Sequence, residues 1–494
     1  MNTGHPQARH RGKAAPRWRA GLVGPLALPL ALALGGCAGT PLQPVPAGTP
    51  DAPAARVQTA PAWQAPRPAD GTPPTIAGPA FDDPLLPQLT TAAQAASPTL
   101  AAAAARVARA RAGQVAAGAA LQPQLDATAG VGRGRQQLGS PVGTQASVGV
   151  QAAWEIDLFG AGAAGRDAAQ ARLDGARAAA QGAQVALAAE VAGSYVALRS
   201  CEAQLGPTQA DAASRAETTR LTELSARAGF TAPADAALVR ATAAQSRGQL
   251  VAQRAACDTL VKTLVALTDW PEPELRQRLA AATARLPVAT ALAVPELPAA
   301  LLARRPDIAE AERNVLAAAG DRAQAQARER PQLTLSGSLA GVSLRSGQEN
   351  FSGTTWTLGP LAVNFPLFDG GARAAATAAA AAGYDEAVAA YRAQVRLAVR
   401  EVEQALVALQ SSAEREADAL LAARDFEASL RATEARQRGG LASLFDLEAA
   451  RRNALAAQAA LIDLQRERAV AWITLYRAIG GGFDDTRLAR GAAP

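Results

Sequence analysis

Cys201 and Cys257 each lie 28 residues from Gly229. An antiparallel pair of helices turning at that glycine sets the two thiols at the same height, and an oxidising compartment permits a bridge between them. The alternative reading is two small buried hydrophobes at helix contacts. Other reactive groups are scarce. Both histidines, His5 and His10, lie within the first ten residues, as does the single methionine. Beyond them no imidazole is left for a catalytic triad or a metal site. No Gly-rich phosphate loop followed by Lys-Ser/Thr occurs, and no nucleophile elbow. Composition leaves metal-free carboxylate catalysis open, but it disfavours an enzyme and implies no cofactor.

The third cysteine points to a different chemistry. Residues 1–36 hold Arg9, Arg11, Lys13, Arg17 and Arg19 with no acid, then an apolar run from Gly21 to Leu34, then Leu34-Gly35-Gly36-Cys37. This reads as a secretory signal, and its end resembles the lipobox of bacterial lipoproteins. That implies cleavage before Cys37 and lipid on its sulfur and new amino terminus. Ala38 in place of aspartate implies delivery to the outer membrane. Loss of the signal removes five positive charges from a formal +6, leaving the chain near +1, so the high pI is no nucleic-acid signature.

The elements that position these groups follow in order. Residues 37–80 are rich in Pro, Ala, Thr and Gly and read as a lipid anchor and tether. Repeat 1 spans 81–270: a helix capped by Ser97-Pro98, a β-hairpin over 123–156, and a helical hairpin over 161–267. On the second strand Ala146, Val148, Val150, Ala152, Trp154 and Ile156 share one face, and Gln145, Ser147, Gly149, Gln151 and Glu155 the other. A soluble sheet with one buried face reads the same way. Strand length near ten, small or polar residues on the second face and a tryptophan near a strand end favour a lipid-facing barrel. Pro-rich sequence over 271–298 reads as an irregular divider. Repeat 2, 299–483, restates the plan with a β-hairpin over 331–365 and a helical hairpin over 371–479; 484–494 is a tail. Pro123-Gln124-Leu125 returns 208 residues later as Pro331-Gln332-Leu333, and the turn glycines Gly229 and Gly440 are 211 apart. Val388, Tyr391, Val395, Ala398, Val402, Ala405 and Leu409 follow a 3-4 spacing that suits coiled-coil packing.

Two strands per repeat make four per chain, too few to close a barrel alone. Open edges in lipid would leave backbone groups unpaired at several kcal/mol each. Closure therefore requires sister chains: two give eight strands with a filled interior, three give twelve and a passage.

Beyond Cys37, five motifs recur in one protein family: Phe81-Asp82-Asp83-Pro84, Asp157-Leu158-Phe159-Gly160, Arg304-Arg305-Pro306-Asp307-Ile308, Pro366-Leu367-Phe368-Asp369-Gly370-Gly371 and Leu475-Tyr476-Arg477-Ala478-Ile479-Gly480-Gly481-Gly482. Together they resemble the TolC-type outer-membrane efflux channels, in their lipoprotein branch (OprM/NodT-like), over about residues 37–483. The resemblance implies a mainly α chain with membrane β: a homotrimer whose twelve-stranded barrel in outer-membrane lipid continues as a periplasmic barrel of twelve helices. It implies the exit duct of a tripartite pump for drugs or other small toxic compounds. The partners would be a periplasmic adaptor and an inner-membrane transporter of the resistance-nodulation-division class.

The family's second tip reads approximately Gly-x-x-Ser-Tyr-Leu-Asp-Val-Leu-Asp-Ala, against Gly440 to Ala450 here. Phe445 then falls on an apolar gate position and Asp446 on the first carboxylate. The second carboxylate position is Ala449, with Glu448 beside it as a substitute. The family's Arg-Tyr before the glycine is Arg436-Gln437, which removes an aromatic gate contact. Asp446 and Asp235 equally suit first-turn carboxylates favoured by the helix dipole. Gly229, Gly439, Gly440 and Arg438 are candidates for adaptor contact, although glycine there also suits a left-handed cap. Two readings compete: a duct for type I protein secretion on the same architecture, and a structural lipoprotein whose coiled coils merely span the periplasm.

Overall fold

The computed structural model describes residues 61–67, 78–135, 142–290, 293–294, 298, 304–346 and 349–483. Cys37 and the tail 484–494 lie outside the described residues.

Four strands form one antiparallel sheet in the order β1-β2-β3-β4: β1 (Gln124–Gly134), β2 (Gly143–Ile156), β3 (Gln332–Ser346) and β4 (Glu349–Asn364). The two hairpins lie side by side because β2 pairs with β3, with Ile156 opposite Leu333 and Val150 opposite Leu339. At 11 to 16 residues the strands exceed the length of about ten read from the sequence.

The described chain also holds eight α-helices: α1 (Leu85–Ala96), α2 (Pro98–Ala119), α3 (Ala161–Arg227), α4 (Pro233–Thr268), α5 (Glu272–Leu279), α6 (Pro306–Ala327), α7 (Ala372–Arg438) and α8 (Leu444–Ala478). Helices α3 and α7 are each 67 residues long, about 100 Å at 1.5 Å per residue. Asp157 and Asp369 hold their first turns: Asp157 accepts the backbone N–H of Gly162 and Ala163, and Asp369 those of Gly371 and Arg373. Those bonds hold the Asp369 carboxyl below its usual range. Helix α3 continues through Pro207, whose ring is buried in the packing.

Along the coiled coil α3 packs on α4, α7 on α8, and the two hairpins meet between α3 and α8. Nearer the sheet the order is α2, α3, α6, α7. The seam on α7 is buried from Tyr391 through Leu409, as the 3-4 spacing requires.

The divider read as irregular from its prolines is helical at its start. α5 occupies Glu272–Leu279, with Pro273 in the first turn, where a missing N–H costs nothing. Ion pairs one turn apart, Glu272 with Arg276 and Glu274 with Arg278, support it. The tether also touches the body. Glu403 on α7 accepts the backbone N–H of Gln64 at 2.7 Å and of Ala65 at 3.0 Å, Trp63 is buried, and Arg67 donates to Val294 O.

A buried charged network braces each half. Arg199 on α3 is fully buried; it donates to Glu202, Tyr195 Oη and Leu279 O, and the Tyr195 hydroxyl donates to Asp83 at 2.5 Å. Burial pushes the Tyr195 phenol far up, and the Asp83 bond adds to the shift. In the second half Arg305 binds Asp307, Glu401 and Ala478 O. Both networks use residues of the recurring motifs, which are therefore braces of the fold.

Candidate functional site: a channel wall and its helical tips

The pairing register assigns every strand residue to one of two faces. One face carries Leu125 and Val131 on β1, Val148, Val150, Trp154 and Ile156 on β2, Leu333, Leu335 and Leu339 on β3, and Trp356, Leu358, Leu361 and Val363 on β4. Leu358 and Leu361 are three residues apart, so a regular strand would point them to opposite sides. The register shift between Leu335 and Gly337 places an extra residue in β4 and returns both leucines to the apolar face. Gly359, at φ +101°, supplies the backbone conformation inside that bulge. Many of these side chains are exposed, Trp356 and Leu358 among them. The opposite face holds Thr128, Gln145, Ser147, Gln151, Ser338, Thr355 and Thr357. Ser338 Oγ and Thr357 Oγ1 lie 2.8 Å apart there. Trp154 Nε1 donates to Leu121 O at 3.0 Å, tying the strand end to the end of α2.

At the far ends of the long helices are two tips. The first turns through Gly229, at φ +80°, with Phe230 exposed; Asp235 occupies the first turn of α4. The second turns through Gly439 and Gly440, the latter at φ +71°. Ser443 caps α8 in a capping box: its Oγ accepts Asp446 N–H at 3.1 Å, while Asp446 Oδ2 accepts Ser443 N–H at 3.0 Å. Both bonds from Ser443, side chain first, hold the exposed Asp446 carboxyl below its usual range, and the Arg436 charge adds a little. Ser443 was legible as Ser-x-x-Asp but was not singled out by the sequence reading. Phe445 is exposed, as is Leu441 beside it.

Glu448 has a different environment. Its Oε1 accepts Ser214 Oγ at 2.9 Å and Thr218 Oγ1 at 2.7 Å from α3, and Arg451 pairs with it at 3.2 Å. The carboxylate joins the two hairpins near the tips. Arg451 also binds Glu434, and Glu434 pairs with the exposed Arg438 at 3.7 Å. The sequence carried no signal for Ser214 or Thr218.

A disulfide joins Cys201 on α3 to Cys257 on α4, with Cα atoms 5.6 Å apart, within the usual range for such a bridge. Gln253 Nε2 donates to Cys201 O beside it at 3.2 Å. Alkylation of denatured, unreduced protein should find neither thiol, and reduction should release two; two reactive thiols before reduction would contradict the bridge.

A sheet with one face apolar over most of its length and an opposite face mostly of small and polar residues, Val342, Leu344 and Phe351 excepted, feeding helical hairpins about 100 Å long, defines a class: a channel protein of the outer membrane that extends into the periplasm. No described helix is long and apolar enough to cross a membrane. A family model described as outer membrane efflux protein matches residues 89–268 and 297–481, and the chain belongs to that family. It is 32% identical over 478 residues to the pyoverdine export outer membrane protein OpmQ of Pseudomonas putida, covering 92% of this chain and 97% of that one. It is 31% identical over 340 residues to the outer membrane protein OprJ of Pseudomonas aeruginosa, covering 68% and 69%. The solved structure of the outer-membrane channel OprN superposes with a TM-score of 0.76 at 27% identity, over 86% of this chain and 98% of that one. The chain is thus an outer-membrane efflux channel.

Proposed function

We propose that three copies of this chain close their sheets into a twelve-stranded barrel and form the exit duct of a tripartite efflux system. The observation that carries this reading is the pair of free edges. The sheet ends at β1 and β4, and unpaired backbone is costly in lipid. The helices end in the same way, at α2 and α4 on one side and α7 on the other. Those edge helices expose Val115, Leu238, Val251, Val407 and Leu420, apolar surface that neighbouring copies would cover.

In this reading the periplasmic tips meet an adaptor through the turns at Gly229 and Gly439-Gly440 and through Arg438. A resistance-nodulation-division transporter loads small toxic compounds from the inner membrane, and Cys37 carries the lipid anchor. The name of the relative OpmQ supports export through the outer membrane, and that of OprJ a place in that membrane. No step of transport asks for catalysis. Phe445 and Asp446 line the resting aperture, where three carboxylates attract cations.

The purified protein should run as a heat-modifiable trimer on gels and conduct ions in planar bilayers; a monomer without conductance would overturn the reading. Asp446→Ala should lower the cation preference of that conductance, and an unaltered channel would remove Asp446 from the gate.

A further inference from the structure

At the end of the sheet opposite the helices, the register sets one transverse row: Arg133 pairs with Thr144, Thr144 with Arg345, and Arg345 with Asn350. This row belongs to the alternating set that carries Val131, Val148, Leu339 and Trp356, so its arginines continue the apolar face past Ser343 and Ser352 to its outer end. They stand two strand spacings apart, roughly 10 Å. Both are exposed, and neither has a hydrogen bond or ion pair among the described residues. Arg135, just past β1, is exposed as well. Asp126 on β1 and Glu155 on β2 occupy the other alternating set. Among the described strand residues, the charges on that set are therefore these positive ones at its outer end.

Their height is informative. From Leu333, at the periplasmic end of β3, to Arg345 is 12 residues. At about 3.3 Å each and a tilt near 40° this rises about 30 Å along the membrane normal. The lipid-facing apolar band of such barrels is about 25 Å tall, so the arginines stand where the outer-leaflet headgroups begin.

We propose that Arg133 and Arg345 form a docking surface for the phosphates of outer-leaflet lipid, its occupant a diphosphorylated glycolipid of the lipid A kind. The proposal rests on the channel reading, since the barrel must lie in a bilayer. A guanidinium binds a phosphate through two parallel N–H donors, and the two arginines offer two such forks on one level of the wall. The bound headgroups would fix the depth of the barrel and seat lipid against its rim.

The test uses the full-length channel in phosphatidylcholine nanodiscs doped with lipid A, with lipid A retained per chain measured by native mass spectrometry. Arg133→Gln and Arg345→Gln should each weaken retention roughly fivefold, and the double variant further. Arg133→Lys with Arg345→Lys should keep most of it, and Arg431→Gln, on an exposed helical surface, should change nothing. Excess inorganic phosphate should not displace the lipid; displacement would mean the arginines take free phosphate and would overturn the assignment. Equal retention by wild type and an inserted, conducting double-glutamine variant would also overturn it while leaving the channel reading intact. Failure of the wild type to insert and conduct would instead strike the channel reading.

Discussion

Arg305→Ala should destabilise the helical body by about 3–5 kcal/mol, the range for removing one partner of a buried ion pair. The guanidinium is nearly buried and ties three helices together. It binds Asp307 at the start of α6 through Nε and Nη2, Glu401 on α7 at 2.8 Å, and the carbonyl of Ala478 at the end of α8 at 2.7 Å. Alanine strands two carboxylates and a buried carbonyl, and Arg305→Lys cannot reach all three acceptors with one ammonium. The midpoint of helical circular dichroism on heating should fall for both variants, further for alanine; an unshifted midpoint would show the network to be dispensable. Burial alone would raise the Asp307 carboxyl, but bonds from Arg305 and Gln394 outweigh it and hold it below the ordinary range. A depressed carboxylate contributes stability that is fully present above its unfolded value, near 3.9, and is lost as pH falls through its folded value. The wild type should therefore lose stability below about pH 4, and Asp307→Asn should lose part of that dependence.

Gly480→Ala should cost about 2–5 kcal/mol, combining a left-handed backbone with a collision. Gly480 has φ +91°, and a Cβ there would stand 1.6 Å from Arg304 O and 2.7 Å from Arg304 C. These are backbone atoms, so relief requires moving the chain that presents Arg305. Gly440→Ala is the informative control. Its φ of +71° carries the same strain, but nothing lies within 4 Å of the added carbon, so about 1–2 kcal/mol is expected. Similar losses at the two glycines would mean that the clash at 480 relaxes freely. Because Gly480 and Arg305 share one joint, their effects should not add.

Much of the architecture was legible before any coordinates. Alternation over 146–156 separated the two faces of β2, the 3-4 spacing from Tyr391 to Leu409 located the α7 seam, and the shared PQL and turn glycines exposed the repeat. The equal distances of Cys201 and Cys257 from Gly229 foretold their juxtaposition. These features are local: a residue's face follows from the period of its own helix or strand.

Partners at long range were decided by the tertiary structure. β2 could be known as a strand, but its pairing with β3 across nearly two hundred residues depends on how the hairpins dock. The bulge that aligns Leu358 with Leu361 exists only against β3. Glu448 was read as a pore carboxylate from its place beside a motif, yet its oxygens meet Ser214 and Thr218 more than two hundred residues away. Arg305 was one letter of a motif until Glu401 and Ala478, 96 and 173 positions distant, closed around it. Period and propensity specify how a segment folds and which side it hides. What a buried charge meets there is set by packing, because burial demands a partner without specifying where along the chain it must come from.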